Sequence, residues 1–74
     1  SWMVYPVPAS NGITVDGLPE GVWSMKMYDS QGREVLIQDV SNGEFLSISN
    51  LSEGYYTMQI VGVEGYVKRV IIQR

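Results

Sequence analysis

The 74-residue chain has no cysteine and no histidine. Without cysteine there is no disulfide, no thiol nucleophile and no thiolate metal ligand, and the redox compartment stays open. Without histidine the commonest general base and the usual zinc ligand are missing. Positive charge is also scarce. Five Lys and Arg against eight Asp and Glu leave a net charge of −3, which argues against a nucleic-acid partner, since such a partner needs a basic face. No apolar run approaches the roughly 18 residues that would span a bilayer, so no membrane insertion is expected. Ser1 to Pro8 has neither the charged region nor the long apolar stretch of a signal peptide. An export signal would lie elsewhere in a longer chain, or be this domain.

The remaining candidates for chemistry are Ser, Lys and carboxylates. Asp16, Glu20, Asp29, Glu44, Glu53 and Glu64 fall in or beside turn signals, where such residues are solvated or bond backbone. A glycosidase pair needs two carboxylates facing across a cleft, and a domain this small has little room for one. Asp-x-Asp spacing for calcium is absent. We therefore expect no enzyme: no catalytic residue, no cofactor and no metal site.

What is present is apolar alternation. Hydrophobic residues make up 45% of the chain, enough for one core, and residues 1–74 read as a single domain. Ser1 to Tyr5 reads as a first strand with Trp2 and Val4 on one face, ended by Pro6-Val7-Pro8 because proline cannot donate to a ladder. Ala9 to Gly12 is a turn, Ile13 to Val15 a second strand, Leu18 to Gly21 another turn. Trp23, Met25 and Met27 alternate with Ser24, Lys26 and Tyr28 in a third strand. Asp29 to Gly32 is a hairpin turn closed by glycine. A fourth strand follows with Val35 and Ile37, but Leu36 and Val40 compete for its inward face, and a bulge could flip it. Asn42-Gly43 is the strongest short hairpin signal in the chain. Leu46 and Ile48 point a fifth strand inward, with Phe45 as rival.

Leu51 to Ile60 is the clearest stretch. A polar turn ending in Gly54 leads into a strand whose Tyr56, Met58 and Ile60 share one face. Leu51 plugging the core and Tyr56 bonding backbone near the turn would form a tyrosine corner of the immunoglobulin-like type. The plainer reading is an edge hairpin with an exposed tyrosine. Val63-Glu64-Gly65 turns into a seventh strand, Tyr66 to Gln73, with Val70 and Ile72 inward. About seven short strands with regular turns and no amphipathic helix predict an all-β, immunoglobulin-like antiparallel sandwich.

Two surface features stand out. Tyr5, Tyr28, Tyr55 and Tyr66 could stack on a sugar or partner, or simply pack across strands. Lys68, Arg69 and Arg74 make the end of an acidic domain basic; the positive charges either serve recognition or guard an edge strand against aggregation.

Four segments in order resemble one family. Val4-Tyr5-Pro6-Val7-Pro8-Ala9-Ser10 is similar to "vYPNPA", with Val7 where Asn is usual. Met27-Tyr28-Asp29-Ser30-Gln31-Gly32-Arg33 resembles "iYDxxGR". Leu51-Ser52-Glu53-Gly54-Tyr55-Tyr56 resembles "LpaGxY", with Ser52 for a frequent Pro, and Lys68-Arg69-Val70-Ile71-Ile72 resembles "KKlvv". Together they resemble the type A C-terminal sorting domains of the bacterial type IX secretion system. The resemblance covers essentially the whole chain. It singles out Tyr5, Pro6, Pro8, Asp29, Gly32, Arg33, Leu51, Gly54 and Tyr56 as motif positions, and Lys68, Arg69, Val70, Ile71 and Ile72 as the recognised surface.

The resemblance implies the end of a longer secreted protein. Such a domain directs its cargo from the periplasm across the outer membrane of a Gram-negative bacterium, to the cell surface or beyond. Its implied partners are the outer-membrane translocon and a sortase-like protease that removes the domain, at or before Ser1, and joins the cargo to anionic lipopolysaccharide. On the residues alone, a carbohydrate-binding or adhesion module and a passive immunoglobulin-like spacer remain as rivals.

Overall fold

A computed structural model describes residues 2–74. The start of the first predicted strand at Ser1 lies outside the described residues. Among the described residues seven strands form: β1 (Met3–Tyr5), β2 (Gly12–Asp16), β3 (Val22–Tyr28), β4 (Glu34–Ser41), β5 (Phe45–Ser47), β6 (Gly54–Ile60) and β7 (Val67–Ile72). They make two antiparallel sheets, β1-β2-β5 and β4-β3-β6-β7. This is the expected sandwich in its immunoglobulin-like arrangement, with the fourth strand in the same sheet as the third, sixth and seventh.

Alternation explains the core. Ile13 and Val15 of β2, Met25 and Met27 of β3, Leu46 of β5, Met58 and Ile60 of β6, and Val70 and Ile72 of β7 are buried between the sheets, and Ile48 joins them just past β5. No polar or charged residue is buried among the described residues. Phe45 is exposed, so Leu46 and Ile48 won the fifth strand. The Phe45 ring instead lies over Gly12 on the outer side of the small sheet, where a Cβ at Gly12 would collide with it.

The competing faces of β4 are settled by a bulge. Met27 pairs with Leu36 but Tyr28 pairs with Glu34, so Val35 is an extra residue. Leu36 and Val40 consequently turn inward, while Ile37 is 56% exposed. The Asp29 to Gly32 hairpin forms as expected: Gly32 N–H donates to the Asp29 carbonyl at 2.9 Å, and Gly32 has φ +83°.

Asn42-Gly43 corrects the hairpin expected there. It is a turn, with Glu44 N–H donating to the Ser41 carbonyl at 3.1 Å, but β4 pairs with β3 and β5 with β2. The chain changes sheet at this corner. Local turn chemistry fixes the reversal but not which strand the departing chain will pair with. The Asn42 side chain also ties down the loop after β2, since its Oδ1 accepts from Leu18 N–H at 2.9 Å.

A second crossing lies after β1. The Tyr5–Pro6 and Val7–Pro8 bonds are both cis, and beyond them Ala9 leaves the small sheet to pair in parallel with Ile72. Ala9 N–H donates to Ile71 at 2.7 Å and Gln73 N–H donates to Ala9 at 2.8 Å. Prolines at a strand end agree with the expectation, and the bridge covers one end of the β7 edge.

Candidate recognition surface

The corner between β5 and β6 forms as expected, with one correction. The Tyr56 hydroxyl donates to the Ser52 carbonyl at 2.7 Å, with Ser52 Oγ 3.4 Å from the same hydroxyl. Tyr56 is buried, but Leu51 is only half-buried. It packs on the rim of the core and does not plug it. The reason is the turn that precedes it. Leu51 N–H bonds back to the Ile48 carbonyl at 3.0 Å, which keeps Leu51 at the lip of the sandwich. Gly54 has φ +155°, a conformation that L side chains rarely adopt.

The Asp29 turn is held by its own side chain. Asp29 Oδ1 accepts from the N–H groups of Gln31 and Arg33, and Oδ2 from Arg33 Nε at 2.9 Å. Hydrogen bonding from the Arg33 backbone, helped by that of Gln31 and the Arg33 guanidinium, holds the Asp29 carboxyl below its ordinary range against a partial desolvation penalty. Asp29 and Arg33 are therefore a folding device at the tip of the hairpin.

The last strand divides its charges. Lys68 points inward, with Nζ 5.4 Å from the centre of the Trp2 ring. Trp2 is buried and stacks on Tyr66 at 5.2 Å, with the rings 4° from parallel. Arg74 reaches across the corner: its guanidinium donates to the carbonyls of Leu51 at 2.7 Å and Ile48 at 2.9 Å, and its N–H to Glu53 at 2.7 Å. Lys26 pairs with Glu34 and Arg33 with Asp29. Among the described residues, Arg69 is the one cationic side chain with no carboxylate, carbonyl or ring against it, and it is exposed. The basic ending read from the sequence thus reduces to a single free charge. Val70 and Ile72 of the expected recognition run are core, and Ile71 is half-buried on the outer face.

The four motif segments meet at one end of the molecule. The Asp29 turn and the Ser52–Tyr56 corner line one depression, with Tyr55 between them. Tyr55, 70% exposed, also walls a groove of about 280 Å³ shared with Ser30, Thr57, Arg69 and Ile71. Ala9, beyond Tyr5, Pro6 and Pro8, joins the same end through Ile71 and Gln73. The tyrosines form no common platform. Tyr28 bonds Gln59 at 3.3 Å on the outer face, Tyr66 faces Trp2, and Tyr5 belongs to the other sheet.

Sequence reasoning missed Trp2–Tyr66–Lys68, the Arg74 clamp and the Ala9 bridge. All three join residues far apart in the chain, and none has a local signal beyond an apolar or basic residue.

The fold and this end define an immunoglobulin-like β-sandwich whose distinctive residues serve shape and surface. A sequence model of the family described as "Secretion system C-terminal sorting domain" matches residues 3–73. The chain belongs to this family, the sorting domains of type IX secretion. Its members are sorting signals, not enzymes, and they mark a protein for secretion to the cell surface or the extracellular space. No curated protein and no solved structure gave a match.

Proposed function

We propose that this domain carries a cargo protein from the periplasm through the outer membrane of a Gram-negative bacterium by way of the type IX translocon. A sortase-like protease of the same machinery then removes the domain, and the cargo is left attached to anionic lipopolysaccharide at the surface. Family membership supports the sorting role. The observation that supports recognition of the folded tail is the meeting of the four motif segments at one end of the sandwich. Cargoes differ, so a signal common to them must be a shape that each tail presents by itself. A folded end built from four separated segments meets that need. In the last strand we assign recognition to Lys68–Ile72 as a unit, with Val70 and Ile72 anchoring it in the core and Arg69 and Ile71 presented outward.

The test is the mass of an exported reporter. A fluorescent protein followed by the native upstream residues and this domain is produced in cells with type IX machinery. Surface-bound reporter lacking at least the 8.3 kDa of the domain and carrying lipopolysaccharide is the expected product. Exported reporter that keeps the domain would reject the processing step.

A further inference from the structure

The geometry points to the open stretch of β7, Val67 to Ile71, as a docking edge for an extended peptide of the secretion machinery, with the pattern apolar–any–acidic–any–apolar. The inference rests on the sorting reading and names the chemistry of the partner.

The backbone sets the place. Tyr66 C=O accepts from Ile60 N–H at 2.9 Å, so the even residues of β7 turn their polar groups toward β6. Ile71 C=O and Gln73 N–H both bond Ala9, so the odd residues turn theirs outward. Alternation along the strand leaves the N–H and C=O of Arg69, the N–H of Ile71 and the C=O of Val67 facing open space. Ala9 closes this row at one end. At the other, Val67 N–H is taken by the Gly65 carbonyl at 3.0 Å. The free row fits a short added strand, and such addition depends on main-chain groups whatever the side chains.

The side chains set the pattern. Val67, Arg69 and Ile71 share the outer face of the large sheet, with Val67 51% exposed. A residue added opposite Arg69 lies on that face beside its unpartnered guanidinium, which a carboxylate complements. Residues two before and two after it lie beside Val67 and Ile71, where apolar side chains extend the contact. A second copy offers a poorer match. Its β4 edge presents Ile37 and Asp39 on the outer face, but Ser41 takes the second apolar place. Joining β4 to β7 is also a head-to-tail contact, which builds an open filament unless its rotation closes a ring.

The experiment measures amide hydrogen exchange by NMR on the 74-residue chain. The probe is an acetylated, amidated peptide, Thr-Val-Thr-Glu-Thr-Val-Thr. In the free domain the amides of Arg69 and Ile71 exchange fast and those of Lys68 and Val70 slowly. With peptide at ten times its Kd, exchange at Arg69 and Ile71 slows by about tenfold. The same peptide with Gln for Glu binds roughly three- to fivefold more weakly. Arg69→Pro removes one outward N–H, which an edge strand tolerates, and should abolish the slowing at Ile71. Slow exchange at Met58 confirms that this variant is folded. If the variant is unfolded, the Gln peptide alone decides. Unchanged exchange at Arg69 and Ile71 at millimolar peptide overturns the inference, as does protection centred on Tyr55. Protection of the same amides without peptide, lost on Asp39→Asn, assigns the edge to a second copy and also overturns it. A wild-type fusion that is exported while no peptide protects Arg69 overturns the docking edge and leaves the sorting reading standing. A wild-type fusion that is not exported overturns the sorting reading, whatever the peptide does.

Discussion

Tyr56 donates its hydroxyl proton to the carbonyl of Ser52, four residues earlier, at 2.7 Å. The bond closes the loop between the two sheets at the end where the family motifs meet. Tyr56→Phe keeps the buried ring and removes the bond. It should lower the unfolding free energy by about 1 kcal/mol, read as a shifted urea midpoint with unchanged slope. An unchanged midpoint would show that the hydroxyl is as well served by water.

Leu51 and Leu46 should respond differently to the same truncation. Leu46 is fully buried and Leu51 sits half-buried on the rim. Leu46→Ala should cost about 2–5 kcal/mol, most or all of the ~3–5 kcal/mol that a core this size supplies. Leu51→Ala should cost less than half as much. Equal losses in paired urea titrations would mean that Leu51 is a core residue after all.

Acid should loosen the hairpin through Asp29. Its carboxyl pKa lies below the ordinary value in the folded state. The stabilisation it gives is therefore complete above the unfolded value, near pH ~4, and is lost as pH falls through the folded one. Asp29→Asn keeps an oxygen acceptor and cannot titrate. The difference in stability between wild type and Asp29→Asn should be constant above about pH 5 and shrink below pH ~4. A difference that does not change with pH would remove the carboxylate from this role.

Much of the sandwich was legible because burial imposes a period of two. Met25 and Met27, Met58 and Ile60, and Val70 and Ile72 announce their faces in short local patterns. The β4 face was not legible, since four apolar residues in Val35–Val40 fit either phase and only the bulge at Val35 decides. Asn42-Gly43 misled because a turn reports a reversal, while pairing depends on β2 and β3, which lie far back in the chain. The candidate site was legible as four motifs but not as one place. Nothing local in Ala9, Lys68 or Arg74 says that they meet Ile71, Trp2 and Leu51.

That same geometry separates the two basic residues of the last strand. Lys68→Gln removes a charge that sits over Trp2 and should cost about 0.5–1 kcal/mol of stability. Arg69→Gln touches no partner and should change stability by less than about 0.5 kcal/mol. Export of a fused reporter should fall for Arg69→Gln while its melting curve stays in place. Export that falls only for Lys68→Gln, in step with its stability, would trace the effect to folding and not to charge.

The most direct measurement is the location of a fluorescent reporter carrying this domain and its native upstream residues, compared between cells with an intact type IX translocon and cells lacking it. The account predicts reporter outside the first and retained in the periplasm of the second. Reporter retained in both, with the domain folded, would contradict it.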